Sequence, residues 1–369
     1  FIIIESIMDF EEYDVIIVGL GCVGLSTAHY CAKQGLKVLG LEINSSSGEP
    51  GTSSQGYTRA YRSNDENPIK NEMMKISIKL WSDANKQLKE LKSKGATQEH
   101  QNIDPDLLFP CEYLTFGDKN SYFISCMFEN NPKLNWISAK EIMEIYPTFE
   151  NIPESYIGNI SNDAGTVKVK NALDGFRILA QLQGANLKYS SEVESVTKTT
   201  VTLKNGDIFK GNNVVICCGA YSLDKFDQLY KNVDIIETET FTFDGNLDGL
   251  PPIFFESSEE YKVYSLRDTQ DLTEQKIGLH DKRDFKLTLK WVKERMPSKL
   301  KHLKYSNCCF YTMTENHDFV YKTNPDGVHY CYGLCGEGFK YMPIHGKVVY
   351  DGLVTKEDTS FVRQTRSKL

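Results

Sequence analysis

The chain has 369 residues, 40% hydrophobic and 25% charged, with a formal net charge of −8. That is the make-up of a soluble globular chain long enough for two domains, or for one large core with an inserted lobe. The acidic balance argues against nucleic acid as a main partner, and no apolar run approaches the roughly 20 residues of a membrane span.

Residues 1–4 are apolar, but the run is too short for a signal-peptide core and no basic region precedes it. Met8 is a candidate natural start, with residues 1–7 an upstream extension. Residues 15–18 are apolar and mostly β-branched, the pattern of a buried parallel strand. Gly19, Gly21 and Gly24 follow at G-x-G-x-x-G spacing. Residues 25–33 read as a helix stopped at Gly35, and 36–41 as a second strand ending on Glu42. Strand, glycine turn, helix, strand and terminal acid together are the dinucleotide-binding fingerprint. Gly19 permits the tight turn, Gly21 lets the backbone approach a pyrophosphate, and Gly24 lets the helix pack on the strand. Unpaired N–H groups at the helix start face the phosphates, and Glu42 is placed to accept ribose hydroxyls. The motif does not separate a nicotinamide from a flavin dinucleotide.

A polar loop follows over 44–56. Arg59 and Arg62, three apart, then share one side of an expected helical turn and read as an anion site. Asn67 and Pro68 open a long helix closed by Gly95. Its apolar face is expected at Ile69, Met73, Ile76, Leu80, Ala84, Leu88 and Leu91. Residues 107–116 read as one strand. Ser138 and Glu141 form a capping box for a short helix ending before Pro147. A helix is expected over 171–183 and a hairpin over 200–209 around Asn205-Gly206. Residues 214–218 are a second buried strand running into a turn at Gly219. The stretch 226–304 suggests short strands and a helix over 284–296. Strands are expected at 308–313 and 328–333, the latter entering a glycine turn at Gly336 and Gly338 and then a helix through 349.

The parallel-sheet pieces are interleaved with other material. The expected fold class is α/β (α+β overall): a Rossmann-like domain with a parallel sheet, plus a second domain that is mainly antiparallel. The first is assembled from residues 8–95, 157–227 and 310–369, the second from 96–156 and 228–309.

Ten cysteines are scattered along the chain without paired C-x-x-C spacing or a histidine cluster, which disfavours a zinc site. Most read as buried thiols in a reducing compartment. The last three residues are Ser367, Lys368 and Leu369, a peroxisomal import address, which predicts a peroxisomal location and an import-receptor partner.

Four patterns now occur in order: 58–62, 276–280, 309–312 and 336–340. With the N-terminal fingerprint they make the chain resemble the monomeric sarcosine oxidase and peroxisomal sarcosine/L-pipecolate oxidase family of FAD-dependent amine oxidases. The resemblance is weakest over 228–262. It implies FAD as the cofactor, joined covalently to the sulfur of Cys309, while Cys308 faces the other way on the same strand. It implies that Lys276 stands over the flavin where oxygen is reduced. His280 and Tyr264 line the substrate cavity, Arg62 and Lys340 hold a substrate carboxylate, and Arg59 lies against the flavin. The Gly336–Gly338 turn points a helix start at the cofactor. Lys276, Gly278 and His280 share one strand face, and the missing side chain at Gly278 is expected to leave room for something flat.

The chain departs from the family pattern at Gln55 and Glu337, each in place of a histidine, at Lys322 in place of an aspartate, and at Tyr221 in place of a tryptophan. Glu337 adds negative charge beside a site meant for an anion. The expected activity is oxidation of a secondary amino acid (sarcosine, L-pipecolate or L-proline) to an imine, with oxygen reduced to hydrogen peroxide, by a monomer. Two alternatives stand beside it: an NAD(P)-dependent dehydrogenase, and a flavin-binding protein whose activity is lost or altered.

Overall fold

The structure is a computed structural model that describes residues 11–65, 67–95, 97–131, 133–221, 233–268, 274–280, 282–297 and 300–355. Met8 and the terminal Ser367, Lys368 and Leu369 lie outside the described residues. Strand β1 (Glu12–Val18) is the centre of the first sheet. Its apolar run is flanked on both sides by parallel neighbours, so both faces are buried. β2 (Val38–Leu41) lies on one side and Ile208–Ile216 on the other, with Val18 opposite both Leu41 and Ile216. The sheet continues past β2 to Asn186–Lys188. On the other side His329–Tyr332 runs parallel to Ile208–Ile216, and the expected hairpin joins the latter to Thr200–Leu203.

Helix α1 (Cys22–Lys33) covers one face together with Val169–Leu182 and Met342–Thr355. Leu25, Phe176 and Ile344 meet there against Val15 and Ile17. Ile16, Val18 and Val214 bury the opposite face against Val201 and Tyr330.

The second sheet has eight strands in the order Leu300–Thr314, Val233–Gly245, Glu274–Leu279, Lys262–Arg267, Ile253–Ser257, Tyr113–Asp118, Tyr156–Ser161 and Trp136–Ser138. Every pairing is antiparallel except that of Ile253–Ser257 with Tyr113–Asp118. The architecture is therefore α+β, a Rossmann-type sheet beside a separate mixed sheet. Strands ending at Ser161 and Thr314 carry the second sheet past the expected divisions at 156/157 and 309/310. A small third sheet joins β3 (Thr58–Arg62) to Ala164–Lys168 and Leu108–Pro110.

Four local expectations need correction. The arginine segment is strand β3, not a helical turn, because it pairs along its full length with Ala164–Lys168. Residues three apart on a strand face opposite ways, so Arg59 and Arg62 diverge. Helix α2 (Pro68–Lys94) has the expected Asn67 and Gly95 caps, but its buried face is Lys70, Met73, Met74, Ser77, Trp81, Ala84 and Leu88. Ile76 is 38% exposed; the helix is turned so that Ser77 and Trp81 both donate to the Lys340 carbonyl, at 3.1 and 3.0 Å. The expected strand over 107–116 is broken, and its halves join different sheets; Pro110 at the break has no N–H to continue a ladder. The stretch 226–304 carries long strands, Val233–Gly245 and the start of Leu300–Thr314, which pair with each other.

The second sheet's core is closed by Phe285–Arg295, whose Trp291 stacks on Phe254. Between them Glu256 is fully buried, accepting from Trp291 Nε1 at 2.8 Å and from Arg295 Nη2 at 3.0 Å. Removing one partner of a buried pair leaves the other charge unsolvated. Arg295→Ala is expected to lower the unfolding free energy by roughly 3–5 kcal/mol, read by urea titration followed by circular dichroism.

Candidate active site

The glycine turn puts β1 and α1 closer than side chains allow. Gly19 has φ of +91°, and a Cβ on Gly24 would stand 1.8 Å from the Gly19 carbonyl oxygen. That contact sets the start of α1 over a cavity of about 420 Å³ lined by Gly19, Gly21, Glu42, Ser54 and Tyr221. Glu42 is buried at its rim. Its Oε2 accepts from the Leu20 N–H at 2.8 Å, and its Oε1 from the Asn44 N–H and Nδ2, at 3.0 and 2.9 Å. The carboxylate is thus aimed by the backbone of the turn itself.

A second cavity of about 270 Å³ lies where the sheets meet. It gathers Arg59 and Arg62 from β3, Tyr264, Lys276 and His280 from the second sheet, Cys309 from its long edge strand, and Gly336, Gly338 and Lys340 from the last glycine turn. These are the expected site residues, drawn from across the chain. Cys22, Ser53, Ser54, Gly219, Thr312 and Leu334 border both cavities, so the two adjoin. Gly24 lines neither and acts through packing.

Arg62 is 7% exposed. It donates from Nε to the Asn64 carbonyl at 2.9 Å and from Nη1 to the Tyr113 hydroxyl at 2.7 Å. Tyr113, Phe123 and Phe255 present their rings 5.1, 5.1 and 5.7 Å from its guanidinium carbon. Its Nη2 lies 3.3 Å from Asp65 Oδ2, and Lys340 Nζ lies 3.8 Å from the same oxygen. The two cations expected on a substrate carboxylate therefore already meet on a carboxylate of the chain. Lys340 also stands 3.3 Å from Glu337, which is paired in turn with Lys70. Burial pushes the Glu337 carboxyl up, but the Lys340 and Lys70 ammonium groups together outweigh it and hold the group well below the usual carboxylate range. Asp65 and Lys70 went unread in the sequence. The sequence offers a carboxylate three residues after Arg62 as a signal for Asp65 and none for Lys70, whose place on the inner face of α2 is set by the fold.

Lys276 is 5% exposed, and its Nζ lies 2.9 Å from Asp268 Oδ2 and 5.2 Å from the Tyr57 ring. Burial pushes its pKa down, and Asp268 opposes that shift. The space beside Gly278 is not open as expected. A Cβ there would meet the Glu239 carbonyl oxygen at 2.9 Å and the Tyr264 hydroxyl at 3.1 Å. Tyr264 is the residue opposite Gly278 on the neighbouring strand, so it fills the gap. Burial raises the Tyr264 hydroxyl well above its ordinary value, and Tyr311 beside it adds to the shift. The His280 ring sits among Phe255, Tyr264 and Tyr311, with centroids 6.2, 6.5 and 6.0 Å away.

Cys309 faces the cavity, whereas Cys308 turns out to Glu237 at 2.9 Å, as alternation on a strand requires. Burial, then the hydrogen bond to Glu237, push the Cys308 thiol up to about 12. Gln55 bridges the Gly51 turn to the edge strand. Its Oε1 accepts from the Gly51 N–H at 3.2 Å, and its Nε2 donates to the Cys308 carbonyl and stands 3.8 Å from Cys309 Sγ. Tyr221 donates to the Gly51 carbonyl beside the nucleotide cavity. Lys322 borders neither cavity and lies over the Tyr332 ring at 5.7 Å. Arg59, which lines the second cavity, donates to the Ser53 and Gln55 carbonyls at 3.1 and 2.7 Å. Half of the cysteines are fully buried and the rest partly exposed, and all ten are free thiols.

Two adjoining cavities suit a long ligand with a nucleotide end and a redox-active ring. The close Gly19–Gly24 approach and the rim carboxylate of Glu42 fit the nucleotide end of FAD. The cations of the second cavity fit a ring that gains negative charge on reduction.

A family model described as FAD dependent oxidoreductase matches residues 14–351. A probable sarcosine oxidase of Arabidopsis thaliana is 25% identical to the chain, over 93% of this chain and 88% of its own length. Monomeric sarcosine oxidase of Bacillus sp. (strain NS-129) is also 25% identical, over 92% of each. Among solved structures, NikD, an unusual amino acid oxidase essential for nikkomycin biosynthesis, superposes with a TM-score of 0.77 at 21% identity, covering 94% of this chain and 95% of its own. At that identity the likeness is one of fold.

The depressed Glu337 carboxyl has a pH signature. A folded-state pKa below the unfolded value of about 4.3 gives stability that is present above that pH and lost as pH falls towards the folded value. Glu337→Gln is expected to flatten the fall of unfolding free energy below about pH 4.3, measured by denaturant titration at a series of acid pH values.

Proposed function

The chain belongs to the FAD-dependent oxidoreductase family, and we propose that it oxidises a secondary amino acid to an imine, with oxygen reduced to hydrogen peroxide. The family is one of FAD dependent oxidoreductases and the curated relatives are sarcosine oxidases, which supports a flavin-dependent oxidoreductase acting on CH–NH groups and sets aside the nicotinamide alternative. Sarcosine, L-pipecolate and L-proline are the proposed substrates, in line with the monomeric sarcosine oxidase relatives. The observation that carries the reading is that Arg62 and Lys340 both line the cavity while Arg62 Nη2 and Lys340 Nζ approach one oxygen of Asp65, at 3.3 and 3.8 Å. Two cations that can address one carboxylate can fix the orientation of an amino acid.

The chemistry FAD would supply when bound is acceptance of a hydride equivalent from the carbon beside the free amine and transfer of the electrons to oxygen. Gly19, Gly21 and Glu42 would hold its nucleotide end, and Arg59, Gly336 and Gly338 its ring end. Arg62 and Lys340 bind the substrate carboxylate. Tyr264 and His280, among aromatic neighbours, exclude water and shape the space for the amine. Lys276 supplies a fixed positive charge where oxygen gains electrons. The imine is hydrolysed in water. We assign covalent attachment to Cys309, whose thiol faces the cavity, and not to Cys308, whose thiol is raised and turned outward. A monomer completes the proposal.

Acid precipitation of purified protein tests the attachment. A yellow pellet is expected, colourless in Cys309→Ala and still yellow in Cys308→Ala; a wild-type pellet without colour would rule out the tether. Peroxide release across a panel of secondary amines tests the activity. Bound flavin with no peroxide from any of them would favour the reading of a flavin-binding protein with altered activity.

A further inference from the structure

The buried ammonium of Lys276 is paired with a buried carboxylate. Asp268, 1% exposed, immediately follows the strand Lys262–Arg267 and borders neither cavity. Its Oδ2 stands 2.9 Å from Lys276 Nζ. Lys276 itself lines the active-site cavity, so the carboxylate approaches from behind and the cavity lies in front. An ammonium has three N–H donors, so an ion pair with Asp268 on one side leaves donors for the cavity. The Lys276 backbone is also anchored, since Ser265 Oγ donates to its carbonyl at 3.0 Å and Gln275 Nε2 donates to Ser265 Oγ at 2.7 Å.

From this geometry we infer that Asp268 is a positioning residue for oxygen reduction: it holds Lys276 at the cavity wall and keeps it protonated. The inference rests on the role given to Lys276 in the proposed function. Oxygen takes two electrons and one proton from the reduced cofactor and a second proton from solvent to become hydrogen peroxide, and negative charge develops on it with the first electron. A cation fixed nearby stabilises that charge without reorganising. A lysine buried this deeply tends to lose its proton. The charged and titratable groups facing it are few. Arg59 on β3 repels the proton, and Glu274 on its own strand favours it from further off. Tyr57 offers a ring face, and Tyr305 on the edge strand faces Glu274 and Asp268. Asp268 is the strongest of the groups that favour the charged form. Without it, burial acts on Lys276 with less opposition, and the ammonium loses its proton at lower pH than in the wild type.

The test separates oxygen reduction from amine oxidation. Holoenzyme is reduced anaerobically with dithionite, so no amine substrate is needed, and mixed with oxygenated buffer over a range of pH. In Asp268→Asn the bimolecular rate constant with oxygen is expected to fall at least roughly tenfold above neutral pH, and its pH profile to move to lower pH. Asp268→Glu, which keeps the charge, is expected to restore most of both. A second readout uses flavin-free protein: the pH midpoint for acylation of Lys276, followed by peptide mass spectrometry, is expected to move down in Asp268→Asn. Unchanged oxygen and acylation profiles in Asp268→Asn would overturn the inference. If that variant does not fold, the wild-type acylation midpoint decides: a value at or below neutral pH would overturn it, and one above neutral pH, below that of the exposed lysines, would support it. An enzyme that reacts with oxygen in this way but with no amine would defeat the proposed substrate class and leave the role of Asp268 standing.

Discussion

Cations buried at the seam between two sheets impose the constraint around which this site is built. Arg62, Lys70, Lys276 and Lys340 are each less than a tenth exposed. A lone charge removed from water at that depth is costly, so each must find an anion or give up its proton. Asp65 serves Arg62 and Lys340, Glu337 serves Lys340 and Lys70, and Asp268 serves Lys276. Three acids thus let several positive groups face one cavity without neutralising themselves.

That pairing changes the meaning of Glu337. Read against the family pattern, an acid in the glycine loop looks like a threat to anion binding. In the folded chain it is matched by Lys70 on the inner face of α2, and the same helix donates from Ser77 and Trp81 to the Lys340 carbonyl. The substitution and its compensation lie 267 residues apart in sequence. The last glycine turn is therefore clamped to α2, which fixes the position from which Lys340 reaches the cavity.

The two cavities divide the work by kind of surface. The cavity at the start of α1 is made largely of backbone: a turn at Gly19, a helix start, and one carboxylate aimed by its neighbours' N–H groups. The reactive end is made of side chains from β3, the second sheet and the C-terminal turn. Backbone geometry depends on a few glycines close in sequence, whereas the convergence of side chains depends on how whole sheets pack.

This division explains what could be read in advance. The sequence by itself determined the fingerprint, the capped helices, the hairpin and the alternation that turns Cys309 inward and Cys308 outward, because each depends on residues a few positions apart. The resemblance added the membership of the site. Only the tertiary structure decided that 58–62 is a strand, since its partner at 164–168 lies a hundred residues away. It also decided which face of α2 is buried, that Tyr264 fills the gap at Gly278, and that Asp65, Lys70 and Asp268 complete the charges. A counterion is selected by distance in space and by the low dielectric around it, and neither leaves a periodic mark along the chain.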